Sequence, residues 1–239
     1  TKGLNPDAPM KDSGVEWLGK VPEHWGVKRL RHLLRSLSQG SSPNCLQEPA
    51  EDGQFGVLKV GCVNQTEFSP QENKALPGDV VPDINSLVLP GDVLMSRGNT
   101  KELVGLATVV SHNTERLLAS DLIFVLRLET ALASPEFIAL SLRSDFGRSQ
   151  IEPQTVGTSA SMQKINQSTI RELIVPLPPL MEQIGIVESI HSSLRMISSH
   201  IQNCSSAIDL LQERRSALIS AAVTGQIDVR GLVPEANAA

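Results

Sequence analysis

Residues 180–222 read LMEQIGIVESIHSSLRMISSHIQNCSSAIDLLQERRSALISAA. Stepping alternately by three and four, the core positions are Val187, Ile190, Leu194, Ile197, Ile201, Cys204, Ile208, Leu211, Arg215, Leu218 and Ala222. Only Arg215 interrupts an otherwise apolar seam. This alternation is a heptad pattern, which keeps one stripe of an α-helix turned toward a partner helix. Pro178-Pro179 stands before the run, and Gly225 can cap its end. At ~1.5 Å per residue, the helix extends roughly 60–65 Å. Alone in water it exposes its seam, so a partner helix is expected, from another copy or another protein. Packing flat on its own domain would require a very elongated domain.

Upstream, helix and strand signals are mixed. Residues 1–23 are rich in Gly and Pro and predict an extended lead-in, anchored by Trp17 and Trp25. Val27, Leu30, Leu33, Leu34 and Leu37 recur at helical spacing, which predicts a short amphipathic helix over Val27–Ser38. Gln39-Gly40-Ser41-Ser42-Pro43-Asn44 ends it as a loop. From Phe55 to Leu128 strands are expected, with Val57–Val60 and Leu122–Leu126 as the strongest runs. Between them Leu76-Pro77-Gly78-Asp79-Val80-Val81 recurs as Leu89-Pro90-Gly91-Asp92-Val93-Leu94. Pro-Gly suits the centre of a type II turn, so each copy predicts a turn launching a short strand. Ser134-Pro135-Glu136 predicts a helix start whose Phe137, Ile138, Leu142 and Phe146 face the core. The fold class expected is α+β: a mixed domain over residues 1–178, a coiled-coil helix over 179–225 and a tail over 226–239.

The chain has 239 residues, 40% of them hydrophobic, enough for a domain of ordinary size plus an appendage. Five Phe, two Trp and no Tyr leave few rings beyond the needs of a core. That disfavours a single-strand platform, which stacks bases on exposed aromatics. A net charge of −5 disfavours a general electrostatic DNA clamp but leaves room for a local basic face. From His24 to Gln47 there is no acidic residue, and Lys28, Arg29, Arg31 and Arg35 lie inside. A solvated surface would look the same. Cys45, Cys62 and Cys204 are far apart, without metal-ligand spacing, as suits a reducing cytoplasm. No apolar run reaches the ~18–20 residues of a membrane span, and the polar start lacks a signal-peptide core.

Two polar segments are candidate binding loops. Ser96-Arg97-Gly98-Asn99-Thr100-Lys101-Glu102 lies between apolar runs, and Arg and Asn suit bidentate pairing with guanine and adenine edges. Gln154–Lys164 holds Thr155, Ser159, Gln163 and Lys164, suited to phosphates and base edges. Ordinary surface turns have similar composition. Catalytic signatures are incomplete. Gly14–Val21 nearly fits a phosphate-binding loop but ends in Val21, which has no hydroxyl for magnesium. Gly157-Thr158-Ser159-Ala160-Ser161 falls one glycine short of a nucleophile elbow. Neither Ser159 nor Asp83 has the neighbours an enzyme would need. No metal site and no bound cofactor are expected.

Four blocks are recognisable together. Ser13-Gly14-Val15-Glu16-Trp17-Leu18-Gly19-Lys20-Val21-Pro22-Glu23-His24-Trp25 resembles the opening of type I restriction–modification specificity subunits. Leu89–Leu94 with Arg97-Gly98 resembles their target recognition domain. Val175-Pro176-Leu177-Pro178-Pro179-Leu180-Met181-Glu182-Gln183 resembles the junction to the spacer helix. Glu213–Ile219 followed by Val223–Arg230 resembles the spacer's end. The resemblance covers nearly the whole chain with its blocks in order. It implies a non-catalytic subunit that reads double-stranded DNA in the cytoplasm. It implies methyltransferase subunits that use S-adenosylmethionine to modify adenine, and ATP-driven restriction subunits. Such subunits carry two recognition domains and two spacers that pair antiparallel. One of each is present here, as in a natural half-subunit or a truncated product.

A symmetric homodimer through residues 180–222 is therefore expected, because a two-fold interface lets one seam cover itself. Its side chains are Val187, Ile190, Leu194, Ile197, Ile201, Cys204, Ile208, Leu211 and Leu218. The expected DNA contacts are Arg97, Asn99 and Lys101 in one loop, and Ser159, Gln163 and Lys164 in the other. Lys28, Arg29 and Arg31 are expected at phosphates. The rival reading is a coiled-coil protein–protein scaffold without DNA specificity.

Overall fold

The computed structural model describes residues 3–111, 115–159 and 162–227. Ile123–Leu128, an almost unbroken apolar run, is a central strand of a four-stranded antiparallel sheet. Leu34–Gln39 pairs on one side of it; Val93–Ser96 and then Ala107–Val109 follow on the other. Successive side chains alternate between faces. Phe124, Leu126 and Leu128 enter one core and Ile123 and Val125 the other, so the strand is buried on both sides. The first core is completed by helices α1 (Pro135–Arg143) and α2 (Asp145–Ile151) and by Ile170 of α3 (Gln167–Glu172). The second includes Leu58, Cys62, Val63 and Phe68.

Ser134 caps α1 as its sequence predicts: its side chain accepts from Phe137 N, and Pro135 occupies the first turn. Phe146 falls in α2, because Ser144 ends the first helix and caps the second. The predicted strand runs appear as Gly56–Leu58 and Ile123–Leu128. Gly56–Leu58 is the middle of a second sheet, parallel to Leu117–Leu118 and antiparallel to Asn73–Ala75.

Three local expectations are corrected. The helix expected over Val27–Ser38 is a strand (Gly26–Arg29), a 3-10 turn (Leu30–His32) and a second strand (Leu34–Gln39). Its backbone groups are taken by two partners from late in the chain, Ile174–Leu177 and Ile123–Leu128. Leu30, Leu33 and Leu37 are buried as expected, but by pairing in a sheet. The lead-in contains a hairpin of Met10–Asp12 with Lys20–Pro22. Trp25 is buried with Leu18 and Val21, whereas Trp17 is half exposed, its ring 5.1 Å from that of Phe146. Finally, only the second Pro-Gly turn launches a strand. Gly91 has φ +86, as a type II turn requires, and Val93–Ser96 follows; after Gly78 comes only the 3-10 turn Ile84–Ser86.

Helix α4 (Leu180–Val223) matches the heptad run, and Gly225 beyond it has φ +74, the left-handed conformation of a C-terminal cap. The chain forms two compact units, residues 1–188 and 189–239, so the first two turns of α4 belong to the first unit. There Gln183 is fully buried. Its Oε1 accepts from Ser134 N at 2.8 Å, and its Nε2 donates to the carbonyls of Leu132 and Pro178 at 3.0 and 2.9 Å. Next to it, Glu182 accepts from Trp25 Nε1 at 3.1 Å and lies 2.7 Å from His24 Nε2. Two blocks of the resemblance, far apart in sequence, thus lock together. Among the described residues no helix is long and apolar enough to cross a membrane.

Candidate nucleic-acid interface

The two polar segments meet. Gly98–Asn99 is a short strand that pairs antiparallel with Met162–Lys164, placing Asn99 opposite Gln163 and Gly98 opposite Lys164. Met162–Lys164 pairs in turn with Val156–Ser159, so the expected second loop is a hairpin and the two candidate loops form one three-stranded sheet. Arg97 N donates to Leu122 O and Ile165 N to Arg97 O, fixing this sheet beside the central one.

Individual candidates differ in how far their hydrogen-bonding groups are already used. Arg97 Nη1 donates to Asp121 O at 3.2 Å, and the Asp121 side chain is itself bonded to the Ser42 hydroxyl. Asn99 Nδ2 donates to Asn64 Oδ1 at 3.1 Å, and its Oδ1 accepts from Thr100 N at 2.9 Å. Gln163 Nε2 donates to Gly157 O at 3.4 Å. Lys101 and Lys164 are exposed. The side chain of Ser159 lies outside the described residues.

The loop after Asn99 is held from below by arginines that sequence reading did not single out. Arg148 Nη1 donates to Val104 O at 2.5 Å and Nη2 to Lys101 O at 2.9 Å. Arg143 Nη1 donates to the carbonyls of Val63 and Ala107 at 3.1 and 3.0 Å, and Nη2 to Asn64 O at 2.9 Å. Burial, and then repulsion from Arg148, lowers the Arg143 pKa from its usual value. Several carbonyls compensate the buried charge. Arg143 therefore fixes Asn64, which fixes Asn99. No sequence spacing announces these partners, which lie about 40 to 80 positions away along the chain.

The basic group near the N-terminus is not joined to this sheet by strand pairing. Lys28 and Arg29 lie on a strand paired with Ile174–Leu177, and Arg31 in the turn that follows. Arg29 and Arg31 both pair with Glu172, the latter at 2.5 Å, so their charge is partly neutralised. Lys28 is exposed and has no ion pair among the described residues.

On α4, Val187 is buried in the core of the first unit, so it is covered by its own domain rather than left free for a partner helix. The seam beyond it is uncovered: Ile190, Leu194, Ile197, Ile201, Ile208, Leu211 and Leu218 are exposed, and so is Cys204.

The arrangement of folded domain and long helix recurs among known proteins. The type I restriction modification DNA specificity domain matches residues 22–203. The EcoEI specificity subunit of Escherichia coli is 28% identical over 223 residues, 93% of this chain and 37% of that protein. The HsdS subunit of Thermoanaerobacter tengcongensis has a similar fold, with TM-score 0.54 and 20% identity, covering 91% of this chain and 52% of that one. A solved chain of the type I R-M system has TM-score 0.61 and 19% identity, covering 89% and 48%. This chain thus spans about half of these relatives or less. With most of its recognition fold and much of its long helix inside the matched region, the chain belongs to the family of type I restriction modification DNA specificity domains.

Proposed function

We propose that this chain is a non-catalytic, sequence-specific DNA-recognition element of a type I restriction–modification enzyme. The observation that carries the reading is the joining of Arg97, Asn99 and Lys101 with Gln163 and Lys164 through one small sheet. Arg and Asn offer bidentate readout of base edges, and the two lysines offer phosphate contacts. Residues 1–178 read DNA, residues 179–225 serve as spacer, and residues 226–239 form a tail. Methyltransferase and restriction subunits supply the chemistry and bind S-adenosylmethionine and ATP. The action is on cellular DNA in the cytoplasm.

The uncovered seam from Ile190 to Leu218 supports a symmetric homodimer, in which two copies read a two-part palindromic site. The decisive experiment co-expresses this chain with its candidate methyltransferase subunit and maps modified adenines across the host genome. A two-part motif that appears only with this chain is the expected result, and a palindromic motif reports two identical readers. Absence of any motif from a co-purified complex would sink the reading.

A further inference from the structure

We propose that one face of the three-stranded sheet reads a thymine through its 5-methyl group, with Met162 and Val156 as the contacting side chains and Lys164 on an adjacent phosphate. The inference rests on the reading that this sheet faces DNA and adds the chemical group recognised.

Residues directly opposite in an antiparallel pair share a face. Val156 lies opposite Lys164, and Lys164 opposite Gly98. Met162, two residues before Lys164, falls on the same side. Contacts agree: a Cβ on Gly98 would lie 3.4 Å from Met162 Sδ, 3.5 Å from Lys164 Cγ and 3.0 Å from Leu122 Cδ2. Asn99 and Gln163 alternate to the other face. The face in question therefore presents Val156, 71% exposed, and Met162, 42% exposed, with exposed Lys164 opposite the first and two residues from the second, over buried Gly98.

Among the described residues both apolar side chains keep a large share of their surface exposed. From Pro153 to Arg171 there is no acidic residue, in a chain whose net charge is −5. An apolar surface set around a cation, on a ribbon free of carboxylates, suits a polyanion that also offers an apolar group. Duplex DNA offers both in its major groove, where thymine alone presents a methyl, and that groove admits a two-stranded β-ribbon. Each strand here is short enough for that entry.

The test first selects the preferred site of the full chain, with its methyltransferase subunit present, from a random duplex library. Synthetic duplexes of that site then replace each thymine singly by uracil, which removes only the methyl. We expect one position at which uracil weakens binding about fourfold, the worth of one buried methyl. Met162→Ala should bind the thymine and uracil duplexes equally at that position, Met162→Leu should keep the preference, and Val156→Ala should reduce it. Both side chains are exposed, so these variants should fold. A selected site indifferent to uracil at every thymine, or a Met162→Ala variant that still prefers thymine, overturns the methyl contact and leaves DNA reading intact. If no site is selected, both readings fall, and the apolar face belongs to a protein contact.

Discussion

Asp92 shows how far a single residue can be read from sequence. It occupies the same place in its Leu-Pro-Gly-Asp stretch as Asp79 does in the other, yet Asp79 is exposed and Asp92 is buried. Asp92 Oδ2 accepts from Leu89 N at 2.9 Å, which closes the turn, and its two oxygens meet Arg127 Nε at 3.0 Å and Nη2 at 3.2 Å. The same Nη2 reaches Leu87 O. The turn was legible locally; the partner thirty-five positions away was not, because no periodicity relates it to the turn. Asp92→Ala leaves the Leu89 amide unpaired and removes the ion-pair partner of Arg127, whose Nη2 keeps the Leu87 carbonyl. Allowing for the partly exposed arginine, it should cost about 2–3 kcal/mol, read as a lower urea midpoint at unchanged m-value. Asp79→Ala should move that midpoint by less than about 0.5 kcal/mol. Arg97 carries a different prediction, since the residue is half-buried and its guanidinium holds one carbonyl among the described residues. If it turns to a guanine edge, Arg97→Ala should cost ~1–3 kcal/mol of binding and loosen one base position. Equal weakening on all sequences would instead make it a phosphate contact.

Elements divide by where their hydrogen bonds go. Helix α4 closes its own ladder, so the heptad spacing of its apolar residues was sufficient to place it, with its end at Val223 one residue beyond the last heptad position. Residues 27–38 have equally helical spacing at Leu30, Leu33, Leu34 and Leu37, but their backbone pairs with strands some 90 to 150 positions later. Sheet partners at that distance leave no trace in a local window. The candidate interface was half legible for the same reason. Composition picked out both polar segments, while their union in one sheet depended on the pairing of Asn99 with Gln163. Along α4, Cys204 provides a direct probe of the seam, with buried Cys62 of the first unit as its internal control. Burial, reinforced by Glu72, pushes the Cys62 thiol up to about 12, so it stays protonated and inert near pH 8. Cys204 is exposed in the single chain and should label readily there. Raising protein concentration should protect Cys204, and Leu211→Asp should abolish that protection while Cys62 remains unlabelled. Labelling of Cys204 independent of concentration would show that the seam stays uncovered.

At the scale of the whole molecule, charge and assembly act together. The chain carries 21 Lys and Arg against 26 Asp and Glu, so its long-range field repels DNA even though Lys101 and Lys164 are exposed at the candidate interface. In the proposed reading a single copy would engage few phosphates and bear the full cost of association for one half-site. In the proposed homodimer, two copies joined through the seam would double the phosphate contacts and make the second binding event intramolecular, which would raise apparent affinity without any new contact. Two measurable consequences follow from that coupling. If the seam joins two copies, the slope of log affinity against log salt should be shallow for the Leu211→Asp variant and about twice as steep for the wild type. Removing Lys164 by Ala should reduce the magnitude of the wild-type slope by about two, one phosphate from each copy, with little change in which site is preferred. Salt titrations of both variants on the same duplex check this. A slope that Leu211→Asp leaves unchanged would mean that one copy makes all the phosphate contacts, and that the seam serves a partner other than a second copy.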